Sequence, residues 1–291
     1  MSTKPYSSPV PAPTTRQRAR ADTGLGRFLR IEAALALAAA LLAAALLAIG
    51  FGFAWPLRVD LGAGARDGRF ATGLYEPEQF GADMARWTGD SATLALPQIP
   101  GGSAATLELR LLHGRPAGQP DARVALSAAG QPLGEFDVTR SPLGARVYRV
   151  VVPARQRLDW ATRVEIASTT FTPPGDPRVL GVVVDQVTVV PAEAGWPLPS
   201  LWLLGWSAGL GLLGYALLRS AGLGRGAAWL AIGCAAALLA WGAARRPLEV
   251  LPFVHRVTAL LGLGLAGLWL ARALTSTVPT TDDRRPTTDD E

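Results

Sequence analysis

Two kinds of hydrophobic pattern divide the chain. From Ala33 to Trp55 the residues are Ala, Leu, Ile, Gly, Phe and Trp with no charge and no polar face. About 23 such residues, at about 1.5 Å each, cross a hydrocarbon core of about 30 Å, which predicts a membrane helix over 31–55. A cleaved signal peptide is the competing reading, but its apolar core runs about 7–15 residues behind a short basic leader. Here the run is longer and a basic leader of thirty residues precedes it, so a retained anchor is expected. Three further apolar stretches occupy the last third, at 198–218, 227–244 and 253–274. The third is the weakest, because His255 and Arg256 open it and Arg272 lies near its end, and these side chains must reach back to the two interfaces. Four spans are predicted. Trp55, Trp196, Trp202, Trp241 and Trp269 fall near their ends, where amphipathic rings favour the headgroup layer.

Between the first and second spans the period changes from continuous to two. Thr93–Leu96, Thr106–Leu111, Arg123–Leu126, Arg146–Val152 and Arg163–Ile166 alternate apolar with polar or small residues, as strands with one packed and one wet face do. Pro100-Gly101-Gly102, Gly114-Arg115-Pro116, Ala129-Gly130-Gln131-Pro132 and Pro173-Pro174-Gly175-Asp176-Pro177 punctuate them with turn chemistry. Val179–Val190 is nearly continuous Val and reads as a central strand buried on both faces at its start. Strands at roughly ten-residue spacing without intervening helices predict an antiparallel β-sandwich of jelly-roll type over 57–195, with eight or nine strands around one core. The expected fold class is therefore a membrane protein, α plus all-β.

Charge then orients the chain. Among 28 basic residues Lys4 is the only lysine, and the net charge of +5 is a sum of local terms. Residues 1–30 are basic, the segment 57–197 is nearly balanced, and 275–291 is acidic. Lys and Arg beside a span favour the cytoplasm, so a cytoplasmic N-terminus and an extracytoplasmic sandwich in a bacterial plasma membrane are expected. Arg219 and Arg225 then fall in an inner loop, in agreement, whereas Arg245 and Arg246 fall in an outer one, against the rule. Residues 1–30 and 275–291 carry too little apolar surface to offset ordering entropy and are expected to be disordered tails. No patch mixes basic and aromatic residues as a nucleic-acid surface requires, so no nucleic-acid partner is expected. A single cysteine, Cys234, excludes an internal disulfide and reads as a small filler within its span.

Candidate chemistry is sparse. His113 sits beside a Gly-Arg-Pro turn and His255 at a span boundary, and no nucleophilic triad presents itself. Glu76 and Glu78 flank Pro77 and would share one side of an extended segment, while Asp60, Asp67, Asp83 and Asp90 lie in Gly-rich stretches suited to local turns. Gly205-x-x-x-Gly209 and Gly262 with Ala266 are candidates for close helix approach. Trp87 and Trp160 are the aromatic candidates of the outer domain, either as sugar-stacking rings or as core. No catalytic residues, metal or cofactor are expected.

Gly73-Leu74-Tyr75-Glu76-Pro77-Glu78, Arg86-Trp87-Thr88, Ala92–Pro97, Phe171-Thr172-Pro173, Asp176-Pro177-Arg178 and Leu180–Asp185 together resemble an extracytoplasmic jelly-roll module. The module is carbohydrate-binding-module-like and belongs to bacterial multi-span membrane glycosyltransferases and related envelope proteins. The resemblance covers about 33–195 and implies a glycan-binding module in a membrane setting. No residue here matches the acidic pair those glycosyltransferases carry in an early outer loop, so the resemblance does not extend to catalysis. Together these features point to an integral membrane protein that binds a glycan or an envelope partner, accessory to polysaccharide or lipid-linked sugar machinery. Trp87, Arg86, Tyr75 and Glu76 are its expected ligand contacts, and the bilayer and a second membrane protein its expected partners. A shortened or split glycosyltransferase and an extracytoplasmic sensor are the alternatives.

Overall fold

In the computed structural model the described residues are 15–62, 70–97, 104–141, 144–153, 161–192 and 196–276, with side chains from 26 onward. Trp160, Asp67 and the acidic tail after 276 lie outside them. Nine strands follow the first helix: β1 Leu57–Asp60, β2 Ala71–Phe80, β3 Asp83–Pro97, β4 Ala105–Leu112, β5 Ala122–Ala128, β6 Gln131–Val138, β7 Ala145–Val152, β8 Ala161–Ser168 and β9 Val183–Pro191. All pairings are antiparallel, in the order β6-β5-β8-β3-β9-β4-β7, with β1 on β9 and β2 on β3.

One continuous sheet wraps the core in place of two separate ones, and β3 is the reason. Its second half pairs with β8 from Ser91 to Pro97, while Arg86 and Trp87 in its first half pair with Val184 and Val183 of β9. The strand therefore belongs to both walls, and the result is nearly a barrel. Inward positions at period two supply the core: Leu94, Leu96, Leu107, Leu109, Leu111, Val124, Leu126, Ile166, Val187 and Val189 are all buried. The Val-rich run behaves as expected, since β9 is central and Val183, Val184 and Asp185 are all buried. The hairpin joining β5 and β6 turns at Ala129 and Gly130, whose φ values of 54° and 76° match the two positive positions of a type I′ turn.

Four helices are long and apolar enough to cross a membrane: Gly26–Phe53, Leu201–Ser220, Arg225–Arg245 and Pro247–Thr275. The first lies in α1, Thr15–Phe53, and the next two are α2, Leu201–Ser220, and α3, Arg225–Arg245. The last combines the single turn α4, Pro247–Val250, a 3-10 turn at Leu251–Phe253 and α5, Val254–Ser276. Helix α1 starts well before residue 31, so part of the segment expected to be disordered is helical; Arg, Ala and Leu there sustain the helix once the apolar run has nucleated it. Its 39 residues measure about 58 Å, which exceeds the apolar run it contains.

Close approach between helices includes Gly209 of the GxxxG pair but otherwise falls on glycines outside the suggested spacing. A methyl group at Gly205 would meet nothing, and one at Gly262 would make ordinary contact with Leu213. At Gly50 it would overlap the Ala240 backbone, and at Gly211 the Ala39 backbone, so α1 packs on α3 and α2 through these two positions. Gly209 meets Thr258 at 3.0 Å, and Thr258 Oγ1 donates to the carbonyls of Val254 or Trp206 at 2.8 and 2.9 Å, a hydroxyl that joins α5 to α2. Cys234 is exposed on α3 and fills no interhelical space. The lateral faces are apolar: Leu41, Leu230, Leu238 and Leu263 are each more than 60% exposed. Sheet and helices share Trp55, which packs on the sheet core and on the cluster of Leu47, Phe51, Leu203, Ala243 and Leu251.

Candidate functional site

The outer face of β3, β8, β5 and β6 forms a groove of about 620 Å³. Ser91, Thr93, Ser127, Gly130, Glu135 and Glu165 line it, with Ala125, Gly134 and Ala167 in its floor. Register explains the floor. Thr93 faces Glu165 across β3 and β8, Ser127 faces Glu165 across β5 and β8, and Ala125 faces Ala167. Apart from Glu165, the outward positions in these pairs are small or hydroxylated, which leaves the sheet surface open to an extended ligand. Ser127 Oγ donates to Glu165 Oε2 at 3.0 Å, and Arg123 binds Glu135 through Nε at 3.1 Å and Nη2 at 2.5 Å. The groove therefore presents carboxylate and hydroxyl groups whose remaining lone pairs can accept from a polyol.

The residues expected to contact a ligand lie elsewhere, around the β2–β3 hairpin and the 171–181 segment. Trp87 is 4% exposed, so of the two roles open to it, stacking on a ligand or filling the core, its ring takes the second, and it offers no face to a ligand here. It packs edge-on against Phe80 and Phe171 at centroid distances of 5.8 and 5.6 Å, and Gly114 lets it do so, since a methyl there would sit 2.5 Å from the indole. Tyr75 is half-buried, with its hydroxyl donating to the Val179 carbonyl at 3.1 Å. Arg86 Nε donates to the Tyr75 carbonyl at 2.5 Å. Glu76 is exposed, whereas Glu78 is engaged by Arg178.

Arg178 organises this surface. Its Nη1 binds Glu78, its Nε and Nη2 bind Asp176, and its guanidinium lies 5.5 Å from the Tyr75 ring centroid. The Arg178 guanidinium holds the Asp176 carboxyl below the ordinary carboxylate range. Tyr75 and Arg86 thus share one surface with a network that sequence spacing missed, because residues 78 and 178 stand a hundred positions apart and meet only in the folded chain.

Asp60 and Asp90 make local turns, accepting from the amides of Gly62 at 3.0 Å and Ser91 at 2.8 Å. Asp83 differs, pairing with Arg110 at 2.9 Å while Arg110 also binds the buried Asp185. Burial pushes the Asp185 carboxyl up, against the pull of Arg110. His113 is paired with Asp121 at 3.0 Å, and His255 sits against Trp202 and Trp206. Among the described residues no three His, Cys, Asp or Glu side chains gather to hold a metal ion.

No known protein family matches the chain, and no curated protein does. Solved structures do. A family 35 carbohydrate-binding module from Clostridium thermocellum aligns with a TM-score of 0.33 and 10% identity over 45% of this chain and 96% of that one. A module from Cellvibrio mixtus lichenase 5A, in complex with cellotriose, aligns with a TM-score of 0.30 and 10% identity over 47% of this chain and 98% of that one. A family GH115 4-O-methyl-alpha-glucuronidase aligns with a TM-score of 0.32 and 13% identity over 47% of this chain; the chain spans 17% of that enzyme's length.

Proposed function

We propose that this is an integral membrane protein whose β-domain lies outside the cytoplasm and binds a glycan, as an accessory to envelope polysaccharide or lipid-linked sugar machinery. The observation that carries the binding half is the groove on β3, β8, β5 and β6, a surface of small residues interspersed with hydroxyls and carboxylates. Hydroxyls and carboxylates in its walls suit the repeated hydroxyl groups of a sugar chain, and its shallow floor suits an extended one. The second surface, with Tyr75, Glu76 and Arg86, offers a further contact patch where Glu76 is exposed.

The membrane half rests on the exposed apolar sides of four helices, which water would not tolerate at this extent. Orientation follows from charge. Arg27, Arg30, Arg219, Arg225 and Arg272 belong to helix ends remote from the sheet, which is the arrangement of a cytoplasmic face. At the sheet end Arg246 is offset by Glu249 at 3.4 Å. The α5 helix packs chiefly on α2 and its span is 6% buried, which leaves side surface for a second membrane protein.

The test is retention of the full-length, detergent-solubilised protein on a glycan array spanning neutral and acidic bacterial polysaccharides. Retention that is lost in Ala167→Trp, which fills the groove floor, supports the reading. Absence of signal across the array, or signal indifferent to that variant, overturns it.

A further inference from the structure

We infer that the groove between α1, α2 and α5, at the bundle end remote from the sheet, binds the phosphate of an anionic phospholipid. This rests on the membrane reading above. The groove has a volume of about 500 Å³ and is lined by Phe28, Glu32, Ala33, Arg219, Trp269 and Arg272, among others. One part of its wall is apolar, the other carries guanidinium groups, and a lipid has the same division.

Charge identifies the occupant. Glu32 is the acidic residue in the lining, and its own helix-end partners already saturate it. Oε2 accepts from the Tyr215 hydroxyl at 3.0 Å and Arg219 Nε at 3.2 Å; Oε1 accepts from Arg219 Nη2 at 3.0 Å and Arg225 Nε at 2.8 Å. Arg225 also lies over the Phe28 ring at 5.3 Å, and Arg219 Nη1 donates to the Leu223 carbonyl. Arg272 is different. Among the described residues its guanidinium engages the Ser220 carbonyl through Nη2, one of the five N–H donors an arginine carries. It caps α2 and lines the groove.

Arg27 and Arg30 lie within a turn and a half of Glu32 on α1, so among the described side chains this end carries five arginines against one carboxylate. Such an excess beside a span calls for an anion, and a planar guanidinium matches phosphate oxygens two at a time. Trp269, 64% exposed, provides the ring that belongs at headgroup depth. Soluble phosphate would satisfy the arginines and leave the wall formed by Phe28, Ala33 and Trp269 uncovered. A phospholipid in the leaflet at that end covers both, with its phosphate at Arg272 and Arg219 and an acyl chain along α1 and α5.

The experiment is native mass spectrometry of the full-length detergent-purified protein titrated with phosphatidylglycerol, with phosphatidylcholine of matched chains, and with glycerol phosphate. Phosphatidylglycerol should be retained over phosphatidylcholine, and glycerol phosphate should not compete at equal concentration. Removing one guanidinium in Arg272→Gln should lower phosphatidylglycerol retention roughly fivefold. Ala33→Phe, which keeps every charge and fills the apolar wall, should lower it too and decides the matter if Arg272→Gln unfolds. Equal retention of the two lipids, undiminished retention in the folded variants, or full competition by glycerol phosphate overturns the site. Alkaline carbonate extraction of the source membranes separates the two claims: release of the protein overturns the membrane reading, whereas retained protein without lipid preference overturns this site alone.

Discussion

Phe136 on β6 stacks on Tyr148 on β7, with ring centroids 4.3 Å apart and planes 12° from parallel. These strands are the two ends of the sheet, so the pair closes a seam that no backbone ladder closes. The Tyr148 hydroxyl adds to it, donating to the Asp137 carbonyl at 3.2 Å and accepting from the Thr139 amide at 3.3 Å. Tyr148→Ala should therefore cost about 3 kcal/mol and Tyr148→Phe about 1 kcal/mol in denaturant unfolding of the purified protein. A cost for Tyr148→Ala below that of Tyr148→Phe would mean the seam is held by something other than the rings.

Arg110 bridges Asp83 and Asp185, and Asp185 is the buried partner at 6% exposure. Arg110→Met strands that carboxylate, and because Arg110 is itself a third exposed the cost belongs at the low end, about 2 kcal/mol at neutral pH. The sign with pH follows from the raised pKa of Asp185. A carboxyl whose folded pKa is raised contributes stability below its unfolded pKa and loses it as pH rises through the folded one. Arg110→Met should accordingly recover stability relative to the parent on acidification, and adding Asp185→Asn should abolish that recovery. Thermal melts of the three variants across mildly acid to neutral pH read it directly.

Asp176 behaves in the opposite sense. Arg178 depresses its pKa from 3.8, so its contribution is present above that value and lost as pH falls through the lower folded pKa. The stability difference between the parent and Asp176→Asn should shrink as pH drops from about 6 to about 3. A difference that stays constant over that range would show that the pair holds no linkage to folding.

Gly211 and Gly205 lie on the same helix with opposite surroundings, one against the Ala39 backbone and the other open. Gly211→Leu should separate α1 from α2 and cost about 3 kcal/mol or more, while Gly205→Leu should be tolerated within about 0.5 kcal/mol. Detergent-resistance and thermal aggregation assays on the pair distinguish them; equal losses would mean that α1 does not pack there.

The local pattern determined a good deal. Four apolar runs and five alternating ones were enough to locate the helices and β4, β5, β7, β8 and the second half of β3, because burial of a face imposes its period on the residues that form it. β1, β2 and β6 were not legible: β1 is four residues, β2 carries glycine and proline with register shifts, and β6 has at its second position a proline that reads as turn. Neighbourhood was not legible either. Whether Trp87 stacks on a ligand or fills the core depends on Phe80, Phe171 and Gly114, which approach it from separate segments. The groove needs Thr93, Ser127 and Glu165 side by side, and that follows from strand order. Arg272 and Glu32 stand 240 positions apart in the chain and line one cavity. Periodicity is a property of one segment against a generic apolar environment, so a sequence carries it. Sites are made by pairs of segments whose adjacency is set by the packing of the whole, and only the tertiary structure decides those.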